Sequence, residues 1–168
     1  MLVIIIVTTL IFAFVNGFHD GCNVVATIVA SRSMGPRKAL FIACLAEFVG
    51  ACLLGTTVAM TIGKGILANE IFILPPEQLY KILLAALCGG IIWNLITWYI
   101  GLPSSSSHAL IGGLVGAGIT TLGFKAILWM NLLQKIILPL FVAPILGFLA
   151  GYLLISFLIE MFKNHRPD

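Results

Sequence analysis

Charge is what this sequence has least of. Only 9% of its 168 residues are charged, against 61% hydrophobic, and the mean hydropathy is +1.16. That balance excludes an ordinary soluble domain, and no stretch is polar enough to form a separate one. The nine Lys and Arg exceed the six Asp and Glu by three, an excess too small and too scattered for a nucleic-acid partner. Basic residues are expected instead to anchor helix ends. Cysteine is sparse as well: Cys22, Cys44, Cys52 and Cys88 form no close-spaced pair, which argues against a disulfide framework or a metal centre and for small packing residues. The apolar start has no basic segment before it and no small-x-small cleavage pattern after it, so it is expected to be membrane segment rather than a signal peptide.

What the sequence has is a series of apolar runs broken by a few polar clusters, enough for a handful of spans of about 20 residues each. The most informative break is Asn16-Gly17-Phe18-His19-Asp20-Gly21-Cys22-Asn23, between the runs 2–15 and 24–30. An Asp near the middle of a bilayer costs roughly 2.5–3.5 kcal/mol on insertion scales, so it is expected to face protein, water or a ligand. The flanking glycines suggest that the helix unwinds here, freeing carbonyls that only a cavity or a buried partner can satisfy. Asp20, Asn16 and Asn23 are hard oxygen ligands suited to Na⁺, and Asp20 alone suits a proton.

The spacing predicts a broken helix over 2–30, a helix over 36–62 opened by Pro36, segments at 79–100 and 105–122 forming a hairpin or a pair of spans, and a final helix over 136–162 bent by Pro139 and Pro144. The second helix is rich in small residues, among them Ala43, Ala46 and Gly50, which permit close helix approach. Its anomaly is Glu47, expected to face the bundle interior or water. Thr56, Thr57 and Thr61 are expected to bond back to their own helix. The stretch 63–78 is mixed and proline-containing, as an extramembrane connection should be.

The second informative cluster is Pro103-Ser104-Ser105-Ser106-Ser107-His108. A serine there is expected to cap the helix that follows, and that helix's free first-turn amides point back at the break. Amides, the positive end of the helix dipole and four hydroxyls favour an oxyanion without any Lys or Arg nearby. The apolar run after it is short for a full span, which favours a re-entrant hairpin with the serines at its tip.

Gly17–Thr27 resembles the first signature of the inorganic phosphate transporter family, and Pro103–His108 followed by an Ile-Gly-Gly-rich helix resembles its second. Thr61–Ile66 is similar to a further family segment. The resemblance implies an all-α integral membrane protein, one half of an inverted-repeat transporter, in the plasma (inner) membrane. It implies secondary symport of inorganic phosphate coupled to Na⁺ or H⁺, with no cofactor beyond that ion and no covalent chemistry. By position, Asp20, Asn23 and Ser104–Ser107 would serve phosphate; Asn16, Asp20, Asn23 and His108 would serve ion coupling; and Asp20 and Asn23 would be the Na⁺ ligands. His19 matches a family position without an assigned role.

The chain departs from the family in carrying each signature once. Its expected partners are therefore phosphate, the lipid bilayer, and either a second transporter half or a second copy in an antiparallel homodimer. Lys and Arg divide five against four between the two expected sides, a weak orientation bias compatible with dual insertion. The alternatives from other classes are an ion or anion channel and a structural or sensor subunit derived from a transporter. A membrane enzyme using Ser105 and His108 is a further one, and it lacks an acidic orienter nearby in sequence.

Overall fold

The computed structural model describes residues 1–163, apart from the side chains at 54 and 56–64. The polar tail after Lys163 and the side chains of Thr56, Thr57 and Thr61 lie outside the described residues. Two units are described separately, residues 1–128 and residues 129–168.

The first unit is a helical bundle of α1 (Leu2–Ala30), α2 (Pro36–Ile66), a short α3 (Asn69–Phe72), α4 (Pro76–Ile100) and α5 (Ser106–Leu122). The expectation of a broken first helix is corrected: α1 runs without interruption through Gly17–Asn23 for 29 residues. Glycine inside a helix costs only about 1 kcal/mol against Ala, whereas opening a turn in hydrocarbon strands backbone groups at several kcal/mol each. With no proline between residues 2 and 30, the helix prevails.

The second and third long helices each open on a proline, Pro36 and Pro76, where the missing N–H is an orphan in any case. α4 ends at Gly101, whose φ of 76° is left-handed. The Leu102 N–H bonds to Thr97 O and the Gly101 N–H to Trp98 O, which closes the helix end before Pro103 is reached. α4 and α5 then pack antiparallel and very closely. A Cβ at Gly113 would lie 2.5 Å from the Ala86 carbonyl oxygen, and one at Gly89 would lie 3.8 Å from Gly113 Cα. α1 runs parallel to α4: Phe12 meets Gly90, Phe18 stacks obliquely on Trp98, and His19 reaches Thr97.

Far along the chain from the serine tract, Leu67 and Ile127 form an isolated antiparallel bridge. Its bonds are Ala68 N–H to Ala126 O and Leu128 N–H to Ile66 O, both 2.8 Å. Ile66, Leu67, Ile71, Ala126 and Ile127 are all buried there, so the end of α2 and the turn after α5 are fixed together.

The unit is inverted relative to a soluble domain. Its surface carries Phe14 at 74%, Phe41 at 70% and Leu53 at 73% exposure, while His19, Asn94, Thr97 and Ser106 are buried. Apolar outside and polar inside is stable where hydrocarbon replaces water as the surrounding solvent. Four helical segments among the described residues are long and apolar enough to cross a membrane.

The second unit has α6 (Trp129–Leu132), a π-helical turn (Leu133–Ile137) and α7 (Leu138–Phe162). The π turn is marked by the Leu138 N–H bonding five residues back to Leu133 O. It precedes Pro139, which has no N–H to continue an i→i−4 ladder. α7 carries Pro144 within it, and a Lys163–Glu160 pair lies at its end.

Candidate functional site

The polar residues buried inside the first unit meet where the middle of α1 passes the start of α5. Asp20 lies on α1, and Ser106 is the first residue of α5, 2% exposed. The Ser106 hydroxyl donates to Asp20 Oδ2 at 3.0 Å. The other carboxylate oxygen, Oδ1, accepts from His19 Nδ1–H at 3.1 Å. His19 is buried, while the Asp20 side chain keeps 34% exposure, so the carboxylate sits at the edge of the junction with an open side.

His19 is held from the other direction by α4. Its Nε2 lies 3.3 Å from Thr97 Oγ1, a hydroxyl that also has the carbonyls of Trp93 at 3.0 Å and Asn94 at 3.1 Å within reach. Three helices therefore converge on one carboxylate. With Nδ1 donating to Asp20, Nε2 faces the Thr97 hydroxyl, whose single proton has the carbonyls of Trp93 and Asn94 as further acceptors.

The start of α5 is built as the sequence suggests. Ser105 is the N-cap, with φ −100° and ψ 114°, and its Oγ accepts from the His108 N–H at 3.3 Å. The same hydroxyl lies 2.7 Å from His108 Nδ1, so it can donate to the ring while accepting from the backbone. This double role explains the Ser105–His108 pair as helix capping. The Ala109 N–H takes the first intrahelical acceptor, Ser105 O. The Ser106 and Ser107 amides precede it and have no carbonyl of their own helix to bond, as at any helix start.

The four serines are not equivalent. Only Ser106 bonds Asp20. Ser104 accepts from Trp93 Nε1–H at 3.0 Å. Together with Ser105 and His108 it lines an open cavity of about 450 Å³ against α4, floored by Gly89, Gly112 and Gly113. Ser107 and His108 are exposed. A second open cavity of about 380 Å³ lies between His19, Cys22 and Asn23 of α1 and the stretch Thr97–Pro103. Asn23 is exposed on its rim, with Cys22 Sγ 3.9 Å from its Oδ1. Asn16 is half-buried one turn before Asp20 on α1, and Glu47 is exposed on α2.

The structure thus brings Asp20 and Ser106 into contact, places Asn16 and Asn23 one turn or less from Asp20, and puts Ser104, Ser105 and His108 on a neighbouring wall. Thr97 and Asn94 were not anticipated as part of this junction, and neither was the bond from Trp93 to Ser104. Their signal was available: polar side chains in the middle of an apolar span face the interior of a bundle.

Comparison with known proteins identifies the family of the chain. Residues 16–167 match the Phosphate transporter family. The chain is 44% identical over 151 residues to a "Probable low-affinity inorganic phosphate transporter" of Mycobacterium bovis, covering 90% of this chain and 34% of that protein. It is 43% identical over 169 residues to a protein of the same description from Streptomyces halstedii, covering 99% of this chain and 75% of the relative. A solved structure titled "The sodium-dependent phosphate transporter" superposes with a TM-score of 0.89 at 34% identity, over 99% of this chain and 41% of that one. The chain therefore spans about a third of the Mycobacterium relative and under half of the solved one.

Proposed function

The chain belongs to the phosphate transporter family and is an integral membrane protein, in a bacterium one of the plasma membrane; on that premise we propose that it transports inorganic phosphate by symport with Na⁺ or H⁺. The observation that carries this reading is the 3.0 Å bond from Ser106, at the N-terminus of α5, to the Asp20 carboxylate on α1. It joins a cation-seeking group to an oxyanion-seeking one.

The donor set suits the chemistry on both sides. Asp20, with Asn16 and Asn23 near it, offers hard oxygens of the kind that hold Na⁺, and the carboxylate is also able to carry a proton. The Ser106 and Ser107 amides suit an anion with no lysine or arginine required, while the Ser106 hydroxyl, donating to Asp20, holds the carboxylate beside them. A bound cation would offset the repulsion between the carboxylate and the oxyanion, which is a physical reason for the two to bind together. Phosphate at neutral pH still carries a proton that a carboxylate can accept, and sulfate does not, so Asp20 also supplies a basis for selectivity.

In this reading the chain supplies half of a transport site. Its open edge at Asp20 faces a second transporter half or a second copy inserted in the opposite sense, and the protein works as a carrier, without enzymatic chemistry. Uptake of labelled phosphate into proteoliposomes, under separately imposed Na⁺ and H⁺ gradients, tests this. Saturable uptake driven by one of the gradients is expected. Phosphate flux that does not saturate would point to a channel, and no flux with any second half present would overturn the assignment.

A further inference from the structure

Asn94 on α4 is completely buried, and among the described residues neither its side-chain nitrogen nor its oxygen has a hydrogen-bond partner. Buried polar side chains are nearly always satisfied, so an amide with both ends unpaired calls for a cause. Its place is fixed by the contacts on either side of it. One turn earlier, Gly90 lies against Phe12 of α1 and Leu110 of α5. One turn later, Thr97 meets His19. Asn94 therefore lies at the level of Asn16 and Ser106, on the inner side of the junction where Ser106 bonds Asp20.

We infer that Asn94 is a ligand of the transported pair, its Oδ1 turned to the cation and its Nδ2 to the phosphate oxyanion. This rests on the phosphate-symport reading above. A carboxamide presents an acceptor and a donor on separate atoms of one planar group, so it can bond a cation and an anion side by side, which Asp and Lys cannot do alone. Both unpaired ends are then satisfied at once, and only when both ligands are bound. The arrangement makes the binding of each ligand favour the other, as symport requires. The cost of the unpaired amide is carried by the unliganded protein, as is common where function and stability conflict.

Two substitutions separate this from a packing role, each made in the intact protein with any second half it natively carries. Asn94→Leu keeps the shape and removes both polar ends, so the unliganded protein is expected to melt at the same or a higher temperature than the parent. Its half-saturating phosphate, read by phosphate-induced thermal stabilisation in Na⁺, is expected to rise roughly tenfold to hundredfold, the loss of one hydrogen bond to a charged group. Asn94→Asp keeps the oxygen and replaces the donor with negative charge, so Na⁺ binding should tighten while phosphate binding weakens. A packing role would not move the two affinities in opposite directions. Parent-like affinities in Asn94→Leu would overturn the inference, and so would loss of unliganded stability or failure to fold. Affinities that move together or stay put in Asn94→Asp would do the same. A parent that shows no phosphate response at all would instead remove the symport reading on which the inference stands.

Discussion

The close contact of α4 with α5 yields a prediction with a built-in control. Gly112 and Gly113 are neighbours on α5, but a Cβ at Gly112 would meet nothing within 4 Å, whereas one at Gly113 would lie 2.5 Å from Ala86 O and 2.9 Å from Ala86 Cα. Both obstructing atoms are backbone, so no side-chain rotation relieves them. To reach ordinary contact distance, α4 and α5 must move apart by about 1 Å. Overpacking of this kind costs about 1–3 kcal/mol. Gly113→Ala should therefore be destabilising by that amount, less the few tenths to about 1 kcal/mol gained from replacing a mid-helix glycine. Gly112→Ala collects that gain without the clash and should be neutral or slightly stabilising. The separation has a functional consequence, because Ser106 lies about 10 Å further along the same helix and depends on α5 being seated to reach Asp20. The assay is thermal unfolding of the two variants in one detergent, with phosphate response measured in parallel. Equal stability of Gly112→Ala and Gly113→Ala would refute the packing argument and with it the claimed closeness of the hairpin.

Three further outcomes follow from the site. Asp20→Asn should leave the fold intact and abolish gradient-driven uptake, since the amide loses both the charge and the protonatable group; full uptake would exclude Asp20 as the coupling residue. Ser105→Ala removes the α5 cap and should cost about 0.5–2 kcal/mol in thermal stability, and a stability equal to the parent's would show that the cap contributes nothing. Sulfate should compete far less well than phosphate for binding, because it has no proton to give Asp20 at neutral pH; equal competition would remove the carboxylate from the selectivity argument.

Much of this was legible in the residues themselves. The apolar runs and the starts at Pro36 and at the serine tract follow from local chemistry, since proline is well placed in a helix's first turn and serine at its cap; a shared role for Asp20 and the serines is implied only by the family resemblance. The misreading at Gly17–Asn23 has an equally local cause. Glycine permits a break without enforcing one, and in hydrocarbon the backbone's own hydrogen bonds outweigh the small propensity loss. What could not be read was the register of α4 against α1 and α5. That register rests on Gly90 fitting against Phe12 and Gly113 against Ala86, a matter of shape between residues far apart in the chain. It is why Thr97 and Asn94 enter the site unannounced, and why Ser104 and Ser105 turn toward Trp93 and His108 instead of Asp20.

The account depends most on the junction of α1 and α5 being where phosphate is held. Phosphate affinity of the purified protein, measured in Na⁺ for the parent and for Ser106→Ala, addresses this directly. Ser106 is nearly fully buried, and its hydroxyl reaches Asp20 across two helices. Losing it should weaken phosphate binding by roughly tenfold or more, as expected for a hydrogen bond to a charged group. An unchanged affinity, in a variant that remains folded, would contradict the placement of the phosphate site at this junction.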